Sequence, residues 1–148
     1  MKVLTIVKAT SDGLLDWLRG ATVGALLRVF VHCTPSPSHR VTKGGWHVKS
    51  YNLYVADCQR VFATLGEKLH GCLCCVVEII CQRPKTTKLS HPRGDVDNFA
   101  KGALDAATKA GVWGDDTQVI ALGVTKRWTE NDEAPGIIFT VGKAKETT

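Results

Sequence analysis

The sequence has no long uninterrupted apolar run, and this absence removes whole classes of protein at the outset. Its opening, MKVLTIVKATSD, offers only five apolar or near-apolar residues between Lys2 and Lys8, too short for a secretory signal core and far too short to span a bilayer. The expectation is a cytoplasmic protein with no membrane partner. Nor is there a paired C-x-x-C arrangement: four of the six cysteines crowd into GCLCCVVEIIC, without the second knuckle that structural zinc sites use. Cys72, Cys74 and His70 are a minor metal-binding alternative to the plainer reading, a buried strand whose cysteines act as small hydrophobes in a reducing compartment. No glycine-rich phosphate loop opens a helix, and neither an internal repeat nor a second domain is visible.

What is present is 148 residues, 44% hydrophobic and 22% charged, with a formal net charge of +5. Such a composition fits one soluble folded domain, and the excess of lysine and arginine points weakly to a polyanionic partner.

Periodicity divides the chain. ALLRVFVH (25–32) reads as a strand stopped by the prolines of CTPSPSHR, and SHRVTKGGWHVK (38–49) as a mobile basic excursion. From Ser50, the spacing of Tyr54, Val55, Cys58, Val61, Phe62 and Leu65 is that of an amphipathic helix ending around Gly66 to Gly71. LCCVVEIIC (73–81) reads as a central strand covered on both faces, with Glu78 taken as a strand-end or edge carboxylate. QRPKTTKLSHPRG (82–94) is an exposed basic loop. A helix is expected from Asn98 to Ala110, with Asp97 as its N-cap and Gly111 as its stop, followed by strands at 119–128 and 137–141. In the first 24 residues KVLTIV suggests a strand and DGLLDWLRG a short helix, but their role stays open. The expected fold is therefore α/β: one small domain over 1–148, with a core at 25–143, in which a mixed sheet is packed by two main helices.

The chemistry lies in RGDVDNFAKGALDAATKAGVWGDDTQV (93–119), where a basic chain sets four carboxylates in two pairs, Asp95/Asp97 and Asp115/Asp116. A helix of about 13 residues between them is roughly 20 Å long, so the pairs meet only if Asp115 and Asp116 reach back along an adjacent strand or a neighbouring subunit completes the site. Carboxylates that converge repel one another unless a cation sits among them, and hard oxygen donors select Mg²⁺ or Mn²⁺. A metal so held can orient and activate water for phosphodiester hydrolysis. Lys101, one turn beyond Asp97, is suited to the charge of a pentacovalent transition state. Taken singly, each part also has a plain structural explanation: a helix start, a turn, and an ordinary i, i+4 series through Asp97, Lys101 and Asp105. Around the acids stand candidate phosphate contacts: Arg40, Lys43 and Lys49, then Arg83, Lys85, Lys88 and Arg93, then Lys126 and Arg127. Trp46, Trp113 and Trp128 are candidates for base stacking, with core packing the better account of Trp113.

The run R-x-D-V-D-N-x-x-K-x-x-x-D-A-x-x-x-A-G-x-W-x-D-D-x-Q-V resembles the signature of the RusA-type Holliday junction resolvases of phages and prophages. The likeness is strongest from Arg93 to Arg127 and extends more weakly back to about Ala25. It implies a homodimer of small α/β subunits that binds four-way DNA junctions and, with Mg²⁺, nicks paired strands in recombination and repair, within a bacterial or phage-infected cytoplasm. It also implies roles: Asp95, Asp97 and Asp116 as metal ligands, Asp115 as their acidic neighbour, and Lys101 as the catalytic lysine. Departures fall in the first 24 residues and in the loop Ser36 to Gly45, and bear on substrate preference more than on chemistry. Two other readings stay open. One is a non-catalytic junction-binding protein, indifferent to divalent metal; the other is a transferase using DVD to hold a nucleoside diphosphate, against which the missing phosphate loop argues.

Overall fold

A computed structural model of the chain describes residues 2–5, 11–38 and 46–146. Its elements are β1 (Lys2–Thr5), α1 (Ser11–Ala21), β2 (Thr22–His32), α2 (Trp46–Phe62), β3 (Leu73–Cys81), α3 (Val96–Ala110), a short 3₁₀ turn (Asp116–Gln118), β4 (Val119–Trp128) and β5 (Gly136–Ala144). The five strands form one mixed sheet in the order β1-β4-β3-β5-β2. β4 runs parallel to both β1 and β3, while β5 runs antiparallel to β3 and β2.

β3 is central, and its sequence explains why. Successive strand side chains point to opposite faces, so a strand covered on both sides must be apolar throughout, and Leu73 to Ile80 are all buried. Leu73, Cys75, Val77 and Ile79 join the main core under α2 and α3 with Phe62, Trp113, Leu122, Phe139 and Val141. Cys74 and Val76 face the other way, against Leu14 and Leu18 of α1. The expectation of two main helices is therefore corrected to three among the described residues. The leucines of DGLLDWLRG make α1 an amphipathic cover for the second face of the sheet, which gives residues 11–21 a packing role.

Glu78 departs from expectation. It sits mid-strand, opposite Thr125 and Ile138, is 5% exposed, and has the Arg28 guanidinium of β2 at 3.8 Å. Burying a carboxylate here requires that partner.

α3 starts earlier than the pattern suggests. Asp95, not Asp97, is the N-cap residue, and its side chain makes no capping bond. The first turn closes through the Phe99 N–H on the Asp95 carbonyl, with Val96 packed against the core. Asp97 thus lies in the first turn, where the helix dipole favours an anion. At the far end Gly111, at φ 80°, ends the helix in a Schellman arrangement: its N–H bonds the Thr108 carbonyl and the Val112 N–H bonds that of Ala107. α2 likewise begins at Trp46, so Lys49 lies in its first turn and not in a loop.

Candidate active site

β3 and β4 are parallel neighbours, in register from Cys74↔Ala121 to Cys81↔Trp128 after a one-residue shift from Leu73↔Val119, and α3 returns the chain between them. Both ends of that return are pinned. At the C-terminal ends of the strands the Lys126 ammonium donates to the Gly94 carbonyl, which sets Asp95 and Asp97 there. The Ser38 N–H adds a bond to the Asn98 carbonyl at 2.9 Å. At the N-terminal ends the Gln118 amide donates to the Leu69 and Gly71 carbonyls at 3.2 and 3.0 Å, which sets Asp115 and Asp116 beside the start of β3. The 15 residues of α3 separate the two pairs by about 22 Å at a rise of roughly 1.5 Å per residue. Within one chain the acids do not converge: among the described residues no group of three or more His, Cys, Asp or Glu side chains is placed to hold a metal ion. One chain presents two half-sets.

The half-sets differ in kind. Asp95 and Asp97 are both exposed, and neither side chain makes a hydrogen bond or ion pair with the described residues. Asp115 is occupied: its Oδ1 accepts the Thr117 N–H at 2.9 Å, while Gln118 Oε1 accepts the N–H groups of Asp115 and Gly114 at 3.1 and 2.8 Å. This reciprocal capping box was legible in GDDTQ as Asp-x-x-Gln. The Thr117 amide and the Asp116 side chain hold the Asp115 carboxyl below its ordinary range. Asp116 shifts the other way, raised by partial burial, by sharing a hydrogen bond with Asp115, and by the charges of Asp115 and Asp105. Asp116 therefore retains a proton more readily than a lone carboxylate would, because burial first and the neighbouring carboxylates second disfavour its charged form.

Along α3, Asp97, Lys101 and Asp105 follow one another at four-residue spacing. Lys101 is exposed and makes no ion pair among the described residues. Asp105 accepts the Tyr51 hydroxyl of α2 at 2.9 Å. Nothing in the sequence signals that contact, which joins residues 54 positions apart.

The basic residues fall into distinct groups. Arg83, Lys85, Lys88 and Arg93 are exposed on the 82–94 connection, at the same end of the sheet as Asp95 and Asp97. Lys49 is exposed at the start of α2, and Arg40 and Lys43 lie outside the described residues. Lys126 and Arg127 are already engaged. Lys126 holds Gly94, and Arg127 makes a two-pronged pair with Glu133, its Nη2 at 2.6 Å from Oε2; this pairing raises the guanidinium's affinity for its proton. Their availability for phosphate in the free protein is correspondingly less than the sequence suggests. Trp113 is fully buried with its indole N–H on Thr108, as expected of a core residue. Trp128 donates to the Leu89 carbonyl, and the side chain of Trp46 lies outside the described residues. Of the proposed cysteine ligands, Cys72 is exposed and Cys74 buried, the latter with its thiol toward the Ala21 carbonyl. No helix among the described residues is long and apolar enough to cross a membrane.

Comparison with known proteins adds an independent observation. The family profile described as Endodeoxyribonuclease RusA matches residues 32–141, which takes in β3, α3, β4 and both acid pairs. The crossover junction endodeoxyribonucleases RusA of Escherichia coli (strain K12) and Shigella sonnei (strain Ss046) are each 44% identical to this chain over 50 residues. The corresponding protein of Enterobacteria phage 82 is 42% identical over 50 residues. Each of these alignments covers 34% of this chain and 38% of the relative, so the likeness to individual relatives spans little more than a third of their length.

Proposed function

The chain belongs to the RusA endodeoxyribonuclease family, and from that premise we propose that it is a divalent-metal-dependent, structure-selective endodeoxyribonuclease. Its substrate is branched DNA, chiefly the four-way junction, which it resolves by paired phosphodiester hydrolysis in recombination and repair, in the cytoplasm of a bacterium or a phage-infected cell. The observation that carries this reading is the juxtaposition at one end of the sheet: two exposed carboxylates, Asp95 and Asp97, without a partner among the described residues, border an exposed connection bearing Arg83, Lys85, Lys88 and Arg93. Bases of that kind attract a phosphate backbone, and acids among them are tolerated where a cation bridges the two.

A hard cation takes six or more oxygen ligands, several of them from the protein or its substrate, and neither half-set supplies enough alone. The reading therefore assigns Mg²⁺, with Mn²⁺ as substitute, to Asp95 and Asp97 of one protomer together with Asp116 of a second copy, Asp115 bracing Asp116 through its capping box. When bound, such an ion supplies a polarised phosphate oxygen and an activated water. Asp95 and Asp97 would hold that ion, Lys101 neutralises charge accumulating on the equatorial oxygens of the scissile phosphate, and the basic connection fixes the strand's register. A C₂ homodimer with two such shared sites suits a substrate of approximate two-fold symmetry and nicks two strands symmetrically.

The test is a synthetic four-way junction and a matched linear duplex incubated with the protein in Mg²⁺ or EDTA and resolved on a denaturing gel. Symmetric, Mg²⁺-dependent nicks confined to the junction are expected; a retained gel shift without nicks in any divalent metal would leave a non-catalytic junction-binding protein. Asp97→Asn is expected to abolish nicking while junction affinity holds or rises. Site sharing has its own readout. Mixing inactive Asp97→Asn and Asp116→Asn protomers rebuilds one intact site in each heterodimer, so nicking should return in part. Absence of any recovery after subunit exchange would place each site within one chain.

A further inference from the structure

The ammonium of Lys101 stands between two carboxylates at four-residue spacing, Asp97 before it and Asp105 after. Both pairings are attractive on a helix surface, with the acid-first order the stronger. Neither forms among the described residues, and Lys101 is exposed. Asp105 is taken by Tyr51, whose hydroxyl donates to Oδ2 at 2.9 Å.

The contact is built into the crossing of α2 over α3. The helices meet at Gly102, where a Cβ would lie 2.6 Å from Tyr54 Cε2 and 3.1 Å from Tyr51 Cε2. The Tyr54 hydroxyl is fixed on the Phe99 carbonyl at 2.9 Å, and the two rings meet edge to face with centroids 6.4 Å apart. Tyr51 is thereby braced against both its neighbour and the α3 backbone. Burial and the Asp105 charge push its phenol well above the ordinary value, so it remains a proton donor at any working pH.

Resting on the nuclease reading above, we infer that Tyr51 is a positioning residue that holds Asp105 away from Lys101 and so keeps the lysine's charge free for a phosphate. Once Asp97 is committed to a cation, Asp105 is the remaining carboxylate on this side of α3 at the spacing to neutralise Lys101. Tyr51 removes that competitor without removing its charge, which still stands near Asp116.

The test uses the full chain with Tyr51→Phe, Asp105→Asn and the double variant, and Lys101→Ala as reference. Two quantities are read: the single-turnover nicking rate of a four-way junction at saturating Mg²⁺, and the salt dependence of junction affinity in EDTA. Tyr51→Phe is expected to slow nicking about threefold, the share an i, i+4 pair of ordinary strength would withdraw. It should also flatten the log–log salt slope toward that of Lys101→Ala, by at most about 0.9, the value of one phosphate contact. Asp105→Asn, which leaves Lys101 without that competitor, should nick no more slowly than wild type and keep its salt slope, and the double variant should match Asp105→Asn. Tyr51→Phe indistinguishable from wild type in both readouts, a double variant as slow as Tyr51→Phe, or abolition of nicking by Asp105→Asn alone would each overturn the inference. If the wild-type protein binds junctions but never nicks them, the nuclease reading fails, and the salt slopes still decide the role of Tyr51.

Discussion

Gly102→Ala sets two large terms against each other at one atom. Glycine inside a helix costs about 1 kcal/mol relative to alanine, so on an open helix surface the substitution should stabilise. At Gly102 the new methyl would stand 2.6 Å from Tyr54 Cε2 and 3.0 Å from its Cδ2, against an ordinary carbon–carbon contact of roughly 3.5–4.0 Å. The Tyr54 ring cannot swing aside freely, because its hydroxyl is bonded to Phe99 and its body is 1% exposed; α2 must move by about 1 Å. Overpacking of this kind costs about 1–3 kcal/mol, and weakening the Tyr51 and Tyr54 hydrogen bonds adds about 0.5–1.5 kcal/mol each if they are lost. Against the propensity gain, the net expectation is a loss of about 1–3 kcal/mol, or roughly 3–10 °C in Tm for a chain of this size. Urea denaturation with an unchanged m-value measures it. Gly20→Ala on α1, where no atom lies within 4 Å of the added carbon, is the control and should gain up to about 1 kcal/mol. A Gly102→Ala protein as stable as wild type or more so would refute the reasoning, because it would mean the α2–α3 crossing has slack and does not brace Tyr51.

Two further outcomes follow from the packing and the charges. With Ellman's reagent at mild alkaline pH the native protein should show one fast thiol, Cys72, the exposed one of six; burial raises the thiols of Cys74 and Cys75, and that of Cys81 to about 12, so the rest should react only on unfolding. Two or more fast thiols would contradict the buried placement of β3. The Arg127 hydrogen bond lowers the Glu133 carboxyl below its ordinary value, so the pair stabilises the fold above the unfolded glutamate value of about 4.3 and loses that contribution as pH falls through the lower folded value. The urea-midpoint difference between wild type and Glu133→Gln should therefore shrink from pH 6 to pH 3, from a ceiling of about 1 kcal/mol for so exposed a pair; a difference constant with pH would mean the charge contributes nothing.

The sequence by itself determined the elements whose signals are local. The 73–81 and 119–128 strands have the bounds that their sequence pattern suggests, and Gly111 stops α3 because only a residue free to adopt positive φ closes the Schellman turn. The paired acids with a lysine one turn on were likewise plain, as was the family signature around them. Tertiary structure decided what depends on direction and on distant partners. It placed α1 on the second face of the sheet, paired the buried Glu78 with Arg28, and moved the N-cap of α3 from Asp97 to Asp95 because Val96 packs inward. It committed Lys126 and Arg127 to Gly94 and Glu133, and brought Tyr51 to Asp105 across 54 positions. Above all it decided the question that the helix between the acid pairs left open: Asp115 and Asp116 do not reach back, because a helix joining parallel strands carries the chain along their whole length and leaves this pair at the start of β3 and β4, with Asp95 and Asp97 at their far ends.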